Sequence, residues 1–211
     1  MTFSYSGFWQ KIKNNKPIFL FLLGMLFLSD AISTFEIYLT IYLSKVFNLS
    51  DQLVIYTALI GLGFCMVGGL VALQTVQFIK SKMIVLLTAS ILYGLCFLLL
   101  AIVPKNISLI FGVFVLSGLS YGLIFSLGRV IYAELVPHDE QTEYFSMYAL
   151  FQRASVVVGP LLWVATFTLL SPLGEDIQYR GSIFFLVLVV IAGYLLLKKC
   201  HRYILNNPKN I

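Results

Sequence analysis

The sequence predicts an all-α, polytopic membrane protein in which residues 1–211 form a single domain of six transmembrane helices. Three observations predict this fold class: 60% of the residues are hydrophobic, 11% are charged, and the apolar residues form long unbroken runs such as 107–127. Soluble domains contain about 25% charged residues, so this chain cannot cover its surface with polar groups in water. A transmembrane barrel would instead show alternating segments of about ten residues.

Six apolar segments are long enough to be helices that cross about 30 Å of hydrocarbon. Pro17 suits the first turn of the first helix, where its missing N–H costs nothing. Pro104, Pro137 and Pro172 follow the third, fourth and fifth segments, and a proline cannot continue a helix without losing a backbone hydrogen bond. The predicted spans are 17–42, 53–77, 83–103, 107–128, 144–170 and 181–198.

Basic residues are distributed unequally between the two sides of the predicted bundle. With the N-terminus in the cytoplasm, one side receives ten lysines and arginines and the other receives three. Cytoplasmic loops are enriched in these residues, so we expect both termini in the cytoplasm. The net charge of +5 then reflects topology, and we expect no nucleic-acid partner. We expect a bacterial inner membrane rather than a vacuole, because no eukaryotic targeting signal is evident.

Three charged residues fall inside predicted spans, where an ionised group costs about 3 kcal/mol at the bilayer centre. Asp30 and Arg153 lie about 20 Å and about 14 Å from the cytoplasmic ends of their spans at the helical rise. We therefore expect an ion pair or a shared polar cavity, either as part of a substrate or proton path or as a static pair that fixes helix packing. Glu36 is a further candidate for the path, unless it lies at the outer interface as an ordinary solvated carboxylate.

Two other features indicate moving or irregular parts of the bundle. Arg129 ends the fourth span, and acidic residues follow it; they form either an inner gate, with Arg129, Glu134 and Glu143 as its candidates, or a solvated loop beside a snorkelling arginine. Gly159-Pro160 is expected to break or kink the fifth helix and free backbone carbonyls. Gly118 and Gly122 form a GxxxG motif, which helix packing alone explains.

The remaining motifs exclude several classes of protein. We find no Ser–His–Asp set, phosphate-binding loop or metal-ligand spacing, so we expect no enzyme, no cofactor and no metal. The three cysteines imply no disulfide framework. The aromatic residues around Trp9 precede Lys11 and Lys13, which predicts either an interfacial segment or a disordered tail.

The chain resembles the C-terminal half of a major facilitator superfamily transporter. Within that superfamily it is most similar to the branch of autophagy-related vacuolar amino-acid effluxers and their uncharacterised bacterial relatives. The resemblance rests on Asn15-Lys16-Pro17, Ser29-Asp30-Ala31, the run 126–137 with Arg129, Tyr132 and Pro137, the stretch Glu143-Tyr144-Phe145 to Gly159-Pro160, and Tyr179-Arg180. Ala31, Gly128 and Val130 depart from the pattern of this branch. The segment 69–82 also lacks the acid of a Gly-x-x-x-Asp-Arg-type motif.

The resemblance implies half of a major facilitator fold, built from a three-plus-three repeat of helices. It implies a secondary transporter that moves a small solute, such as an amino acid or a related metabolite, by alternating access. One half has no closed pathway, so we expect a second six-helix half, from a separate chain or a homodimer, unless the chain is a truncated product. The alternative is a non-transporting membrane scaffold, assembly subunit or remnant.

Overall fold

The computed structural model describes residues 15–79 and 81–207, and six helices within them are long and apolar enough to cross a membrane. This confirms the predicted fold class. The interfacial segment predicted around Trp9 lies outside the described residues. The helices are α1 (Lys16–Phe47), α2 (Asp51–Phe78), α3 (Lys82–Ile102), α4 (Ile107–Leu135), α5 (Gln141–Leu169) and α6 (Glu175–Asn206), with short 3₁₀ turns at His138–Glu140 and Ser171–Leu173.

Most helices extend beyond the predicted apolar spans, because local backbone signals rather than hydropathy end them. α1 ends at Asn48, which adopts a left-handed conformation with φ of 54° and donates its backbone N–H to the Leu43 carbonyl. The side chain of Asn106 caps the start of α4 by accepting bonds from the N–H groups of Ser108 and Leu109. α4 continues past Arg129 and stops two residues before Pro137.

The helices pack in a pattern that repeats when the first three are exchanged with the last three. α2 packs closely on α4, and α5 packs on α1 in the same way. α1 packs on α6, and the corresponding pair after the exchange, α4 and α3, also packs together. The pair α3 and α6, which the exchange leaves unchanged, is in contact as well. This is the three-plus-three arrangement implied by the resemblance, and it places α1 and α4 at the centre with α2 and α5 at the flanks.

Side chains at both ends of the bundle show which helix ends share a side of the membrane. On the side where α1 begins, the Cys200 thiol donates to the Pro17 carbonyl at 3.3 Å. On the opposite side, the Lys45 ammonium pairs with Glu175 at 3.1 Å. α1 and α6 are therefore antiparallel, and the short connections between the other helices place the starts of α3 and α5 on the side where α1 begins.

Glycines bring α2 and α4 into backbone contact. A Cβ added to Gly118 or Gly122 would overlap the carbonyl oxygens of Gly61 and Cys65, and one added to Gly68 would overlap that of Leu119. The GxxxG motif therefore packs helices, as predicted. Its contacts are with backbone atoms, which cannot rotate out of the way.

Candidate functional site

A groove of about 290 Å³ opens on the bundle between α1, α2, α3 and α4. One of its lining residues, Tyr93, lies about halfway along α3, which places the groove at membrane depth. The groove combines apolar walls with a few polar groups, which is the usual composition of a small-molecule site. Its aromatic and polar lining residues are Phe35, Glu36, Tyr93, Phe114, Ser117 and Tyr121.

Glu36 faces this groove rather than the bulk solvent at the end of α1. It lies 11 residues before the last residue of the helix, or about 16 Å at the helical rise. The Tyr121 hydroxyl of α4 lies near its carboxylate and interacts with it. Glu36 thus shares the groove with Phe35 and Tyr93, and whether it belongs to a transport path or to the outer interface stays a prediction.

Asp30 is buried where α1 crosses α5. Its side chain is 4% exposed, and its Oδ1 atom has no hydrogen-bond partner. Thr34, one helical turn further along α1, is fully buried and its hydroxyl also has no partner. A Cβ added to Gly159 would contact both side chains. The structure therefore holds a carboxylate and a hydroxyl together against the backbone of α5.

Arg153 does not pair with Asp30, so the predicted ion pair is wrong for this structure. Arg153 is exposed on α5, whereas the residues of α5 that face the bundle are Ser155, Gly159 and Trp163. Arg153 lies two residues from Ser155, a rotation of about 200° around the helix, so its side chain points away from α1. Asp30 and Arg153 lie at similar depths along their helices, but their side chains point in different directions.

The inner-gate candidates are placed apart from one another. Glu134 forms an ion pair with Lys82, which joins the end of α4 to the start of α3. Glu143 is half-buried in the first turn of α5 and lines a separate hollow of about 570 Å³ with Asp139 and Met147. Arg129 is exposed, and its charge acts on the hydroxyls of Tyr121 and Tyr148.

Gly159-Pro160 does not break α5, which runs without interruption from Gln141 to Leu169. Pro160 lacks an N–H, so the carbonyl of Val156 loses its usual partner within the helix. A bend at this point stays a prediction. What the structure shows instead is the close approach of α1 at Gly159, because no side chain occupies the space that Thr34 fills.

Sequence reasoning missed two residues that organise these sites. Tyr121, between the packing glycines of α4, provides the hydroxyl beside Glu36. Arg180 donates to the carbonyls of Ala101 and Val103 at 2.9 and 3.1 Å, and its guanidinium lies 5.6 Å from the centre of the Phe47 ring. The resemblance marked Arg180, but no charge pattern in the sequence indicated that it caps α3.

Comparison with protein families finds a match to the model described as "Vacuole effluxer Atg22 like" over residues 4–201. The matched segment contains the groove, the buried Asp30 and all six helices except the last residues of α6. The family model describes effluxers, which are transport proteins rather than enzymes. No solved structure matches the chain significantly.

Curated relatives are fungal proteins named Autophagy-related protein 22. The Kluyveromyces lactis protein is 24% identical over 209 residues, which cover 90% of this chain and 40% of the relative. The Saccharomyces cerevisiae protein is 25% identical over 187 residues, which cover 83% of this chain and 34% of the relative. A Cryptococcus neoformans protein is 35% identical over 74 residues, 35% of this chain and 13% of the relative. The chain thus spans about two fifths of the length of the first of these relatives.

Proposed function

Because the chain belongs to the Atg22-like family of vacuole effluxers, we propose that it is one six-helix half of a secondary transporter that moves a small solute by alternating access. The solute class is an amino acid or a related metabolite, as the resemblance to this branch implies. The observation that carries the proposal is the groove at membrane depth, where Glu36 lies among aromatic rings. A carboxylate at this depth is costly in lipid and is typical of a transport path.

The proposed partner of this half, besides the lipid bilayer and the solute, is a second six-helix half. α2 and α5 are the helices least covered by the rest of the bundle, with 17% of the apolar window of each buried. The exposed face of α5 carries Arg153, about 18 Å from the start of a helix about 42 Å long. An arginine at that depth requires protein or water rather than lipid, and a second half facing α2 and α5 would supply both.

Native mass spectrometry of the chain extracted from its own membrane tests the partner. Two copies of this chain would identify a homodimer, and one copy with another six-helix chain would identify a split transporter. A chain released alone under gentle extraction would contradict the second half. The variant Arg153→Met should weaken the assembly if Arg153 faces the partner, whereas Arg202→Met, at the exposed end of α6, should leave it intact.

Within this half, each candidate side chain receives a proposed role. Asp30 and Glu36 belong to the substrate or proton path, Asp30 at the α1–α5 crossing and Glu36 in the groove. Arg153 extends the path toward the partner. Arg129, Glu134 and Glu143 form the inner gate, in which the Lys82–Glu134 pair closes one corner and Arg129 exchanges acidic partners as the halves move.

Transport in vesicles that contain this chain together with its second half tests the function. We expect Asp30→Asn to abolish flux while the protein stays abundant in the membrane, because the substitution removes a charge without changing shape. Asp51→Asn is the matched control, since Asp51 is an exposed carboxylate at the start of α2, outside both sites. Unchanged flux in the Asp30 variant would remove Asp30 from the path, and absence of flux from the intact assembly would favour the alternative function.

The alternative is a non-transporting scaffold or assembly subunit. The segment after α2 favours it, because Thr75 and Gln77 stand where a transporter of this superfamily carries an acid. The hydroxyl of Thr75 bonds to the carbonyl of Val71 within α2, so it does not replace that acid as a latch. A scaffold would form an assembly of the same size as the transporter, but it would show no flux with any solute.

We propose that both ends of this six-helix half, the start of α1 and the end of α6, face the cytoplasm. Lys82, at the start of α3, lies on the side where α1 begins, in agreement with the distribution of basic residues. A bacterial inner membrane remains our proposal, and the vacuole of the family description is the alternative. Fusion of a reporter that is active only in the cytoplasm to each terminus tests the orientation, and one inactive fusion would contradict it.

A further inference from the structure

The groove beside Glu36 offers one uncompensated negative charge. Among the described residues that line it there is no lysine, arginine or histidine. The charge of Arg129 reaches the Tyr121 hydroxyl, but Arg129 lies eight residues along α4 from Tyr121, about 12 Å at the helical rise, and does not line the groove. A bound molecule therefore meets a negative potential here.

The Glu36 carboxylate keeps capacity to accept hydrogen bonds. An ionised carboxylate has about four acceptor positions, and the single hydroxyl of the nearby Tyr121 can fill at most one of them. The side chain of Glu36 is exposed to the groove, so its remaining positions point to space that a ligand can occupy. A ligand group with several N–H donors and a positive charge fits this arrangement.

Four aromatic residues share the groove with the carboxylate. Phe35, Tyr93, Phe114 and Tyr121 line the groove, and the rings of Phe35 and Phe114 are 6.1 Å apart between centroids. The faces of aromatic rings attract organic cations. Calcium and magnesium ions instead prefer six or more oxygen ligands, and the side chains of this lining offer only the Glu36 carboxylate and three hydroxyls.

The rest of the lining is apolar. Leu39 of α1 and Ala58 and Leu62 of α2 complete the lining with apolar side chains. The volume of about 290 Å³ is at the lower end for small-molecule sites. The complementary ligand is therefore a compact molecule with an apolar body and one cationic head.

We propose that the groove is a subsite for the primary ammonium group of the solute, with Glu36 as its anionic partner and the surrounding rings as its cage. This assignment rests on the proposed transport function for its place in a cycle, but it can be measured as binding alone. It names the part of the solute that this half recognises: an ammonium group carried on an apolar body.

Binding of two matched probes to the full chain in detergent tests the proposal. Phenethylamine and 2-phenylethanol share an apolar body and differ in whether an ammonium or a hydroxyl group ends it. We expect the chain to prefer the amine about tenfold, as for a charge-assisted hydrogen bond in a partly buried site. The isosteric variant Glu36→Gln should reduce the preference to less than twofold.

A matched control and a second variant keep the test decisive. Glu175→Gln removes an exposed carboxylate that pairs with Lys45 outside the groove, and it should retain the preference. If Glu36→Gln does not fold, Leu62→Lys places a cation in the same lining, and it should abolish the preference. Equal binding of both probes by the unmodified chain, or a preference that survives these groove variants, would overturn the proposal.

The outcomes for binding and transport are separable. Selective binding of the amine without solute flux from the assembled halves would retain the subsite and reject transport. Flux of a solute without an ammonium group, together with equal binding of the probes, would retain transport and reject the subsite.

Discussion

Asp30 and Gly159 contact each other across the α1–α5 crossing: a Cβ on Gly159 would lie 2.6 Å from Oδ1 of Asp30. Thr34 occupies the same space from the next turn of α1. The glycine thus sets the distance between a buried carboxylate and the backbone of a neighbouring helix. A carboxylate buried without an ionic partner depends on such local contacts for its position.

Gly159→Ala should displace Asp30 and Thr34, because the added methyl group and their side chains cannot share the space. Overpacking of this kind costs about 1–3 kcal/mol. We expect a lower unfolding temperature in detergent, measured by tryptophan fluorescence, and loss of solute flux. Thr34→Ala in the same chain should restore part of the stability by removing the group that overlaps. Equal stability of Gly159→Ala and the unmodified chain would show that α5 can move away at no cost.

Gly122→Ala should destabilise the bundle more than Gly159→Ala does. Its new methyl group would meet the backbone nitrogen of Gly69 at 2.7 Å, and backbone atoms cannot move aside by rotating a side chain. Gly112→Ala on the same helix is the control, since nothing lies within 4 Å of its added Cβ. The control should unfold at the same temperature as the unmodified chain or slightly above it, because alanine is more favourable than glycine within a helix by about 1 kcal/mol. Similar unfolding temperatures for the two variants would contradict the close α2–α4 contact.

Exchange of Lys82 and Glu134 should show that their charges interact. Lys82→Glu and Glu134→Lys each place like charges together, and the double variant restores an opposite pair. The number of basic residues on that side also returns to its original value, so topology is preserved. The side chains are 20% and 53% exposed, so we expect a coupling below about 1 kcal/mol in a double-mutant cycle of unfolding free energies. Strictly additive effects would show that the pair contributes nothing.

Arg180→Lys should loosen the end of the bundle where α3 ends and α6 begins, although it keeps the charge. The guanidinium bonds two of the last carbonyls of α3 and pairs with Asp176 at 2.9 Å. A lysine ammonium lacks the planar fork that reaches these groups together. Hydrogen exchange should increase at the end of α3, whereas Arg202→Lys, at the exposed end of α6, should leave exchange there unchanged. Unaltered exchange in the Arg180 variant would show that the α3 carbonyls are satisfied without it.

Hydropathy predicts the number and order of the helices, because each of the six apolar runs must satisfy its backbone internally in lipid. Hydropathy does not predict where the helices begin and end in water, because capping residues such as Asn48 and Asn106 determine these positions. The depth of Asp30 along its helix was predictable from the helical rise, but its burial against α5 was not. Its separation from Arg153 was not, because the direction of a side chain depends on which helices surround it. The groove at Glu36 was also not predictable from the sequence, since it exists only where α1, α2, α3 and α4 leave space between them.

The glycine contact between α2 and α4 restricts how the groove can change its width. Two helices that touch through backbone atoms have no side-chain rotamers to readjust, so they cannot slide past each other in small steps. α1 also approaches α6 closely, at Gly24 and Gly193, but a Cβ added to Gly24 would meet the flexible Leu197 side chain at 2.7 Å before the Gly193 carbonyl oxygen at 3.2 Å. We therefore expect α2 and α4 to move as one unit that forms one wall of the groove, while α1 carries Glu36 and Asp30 on another.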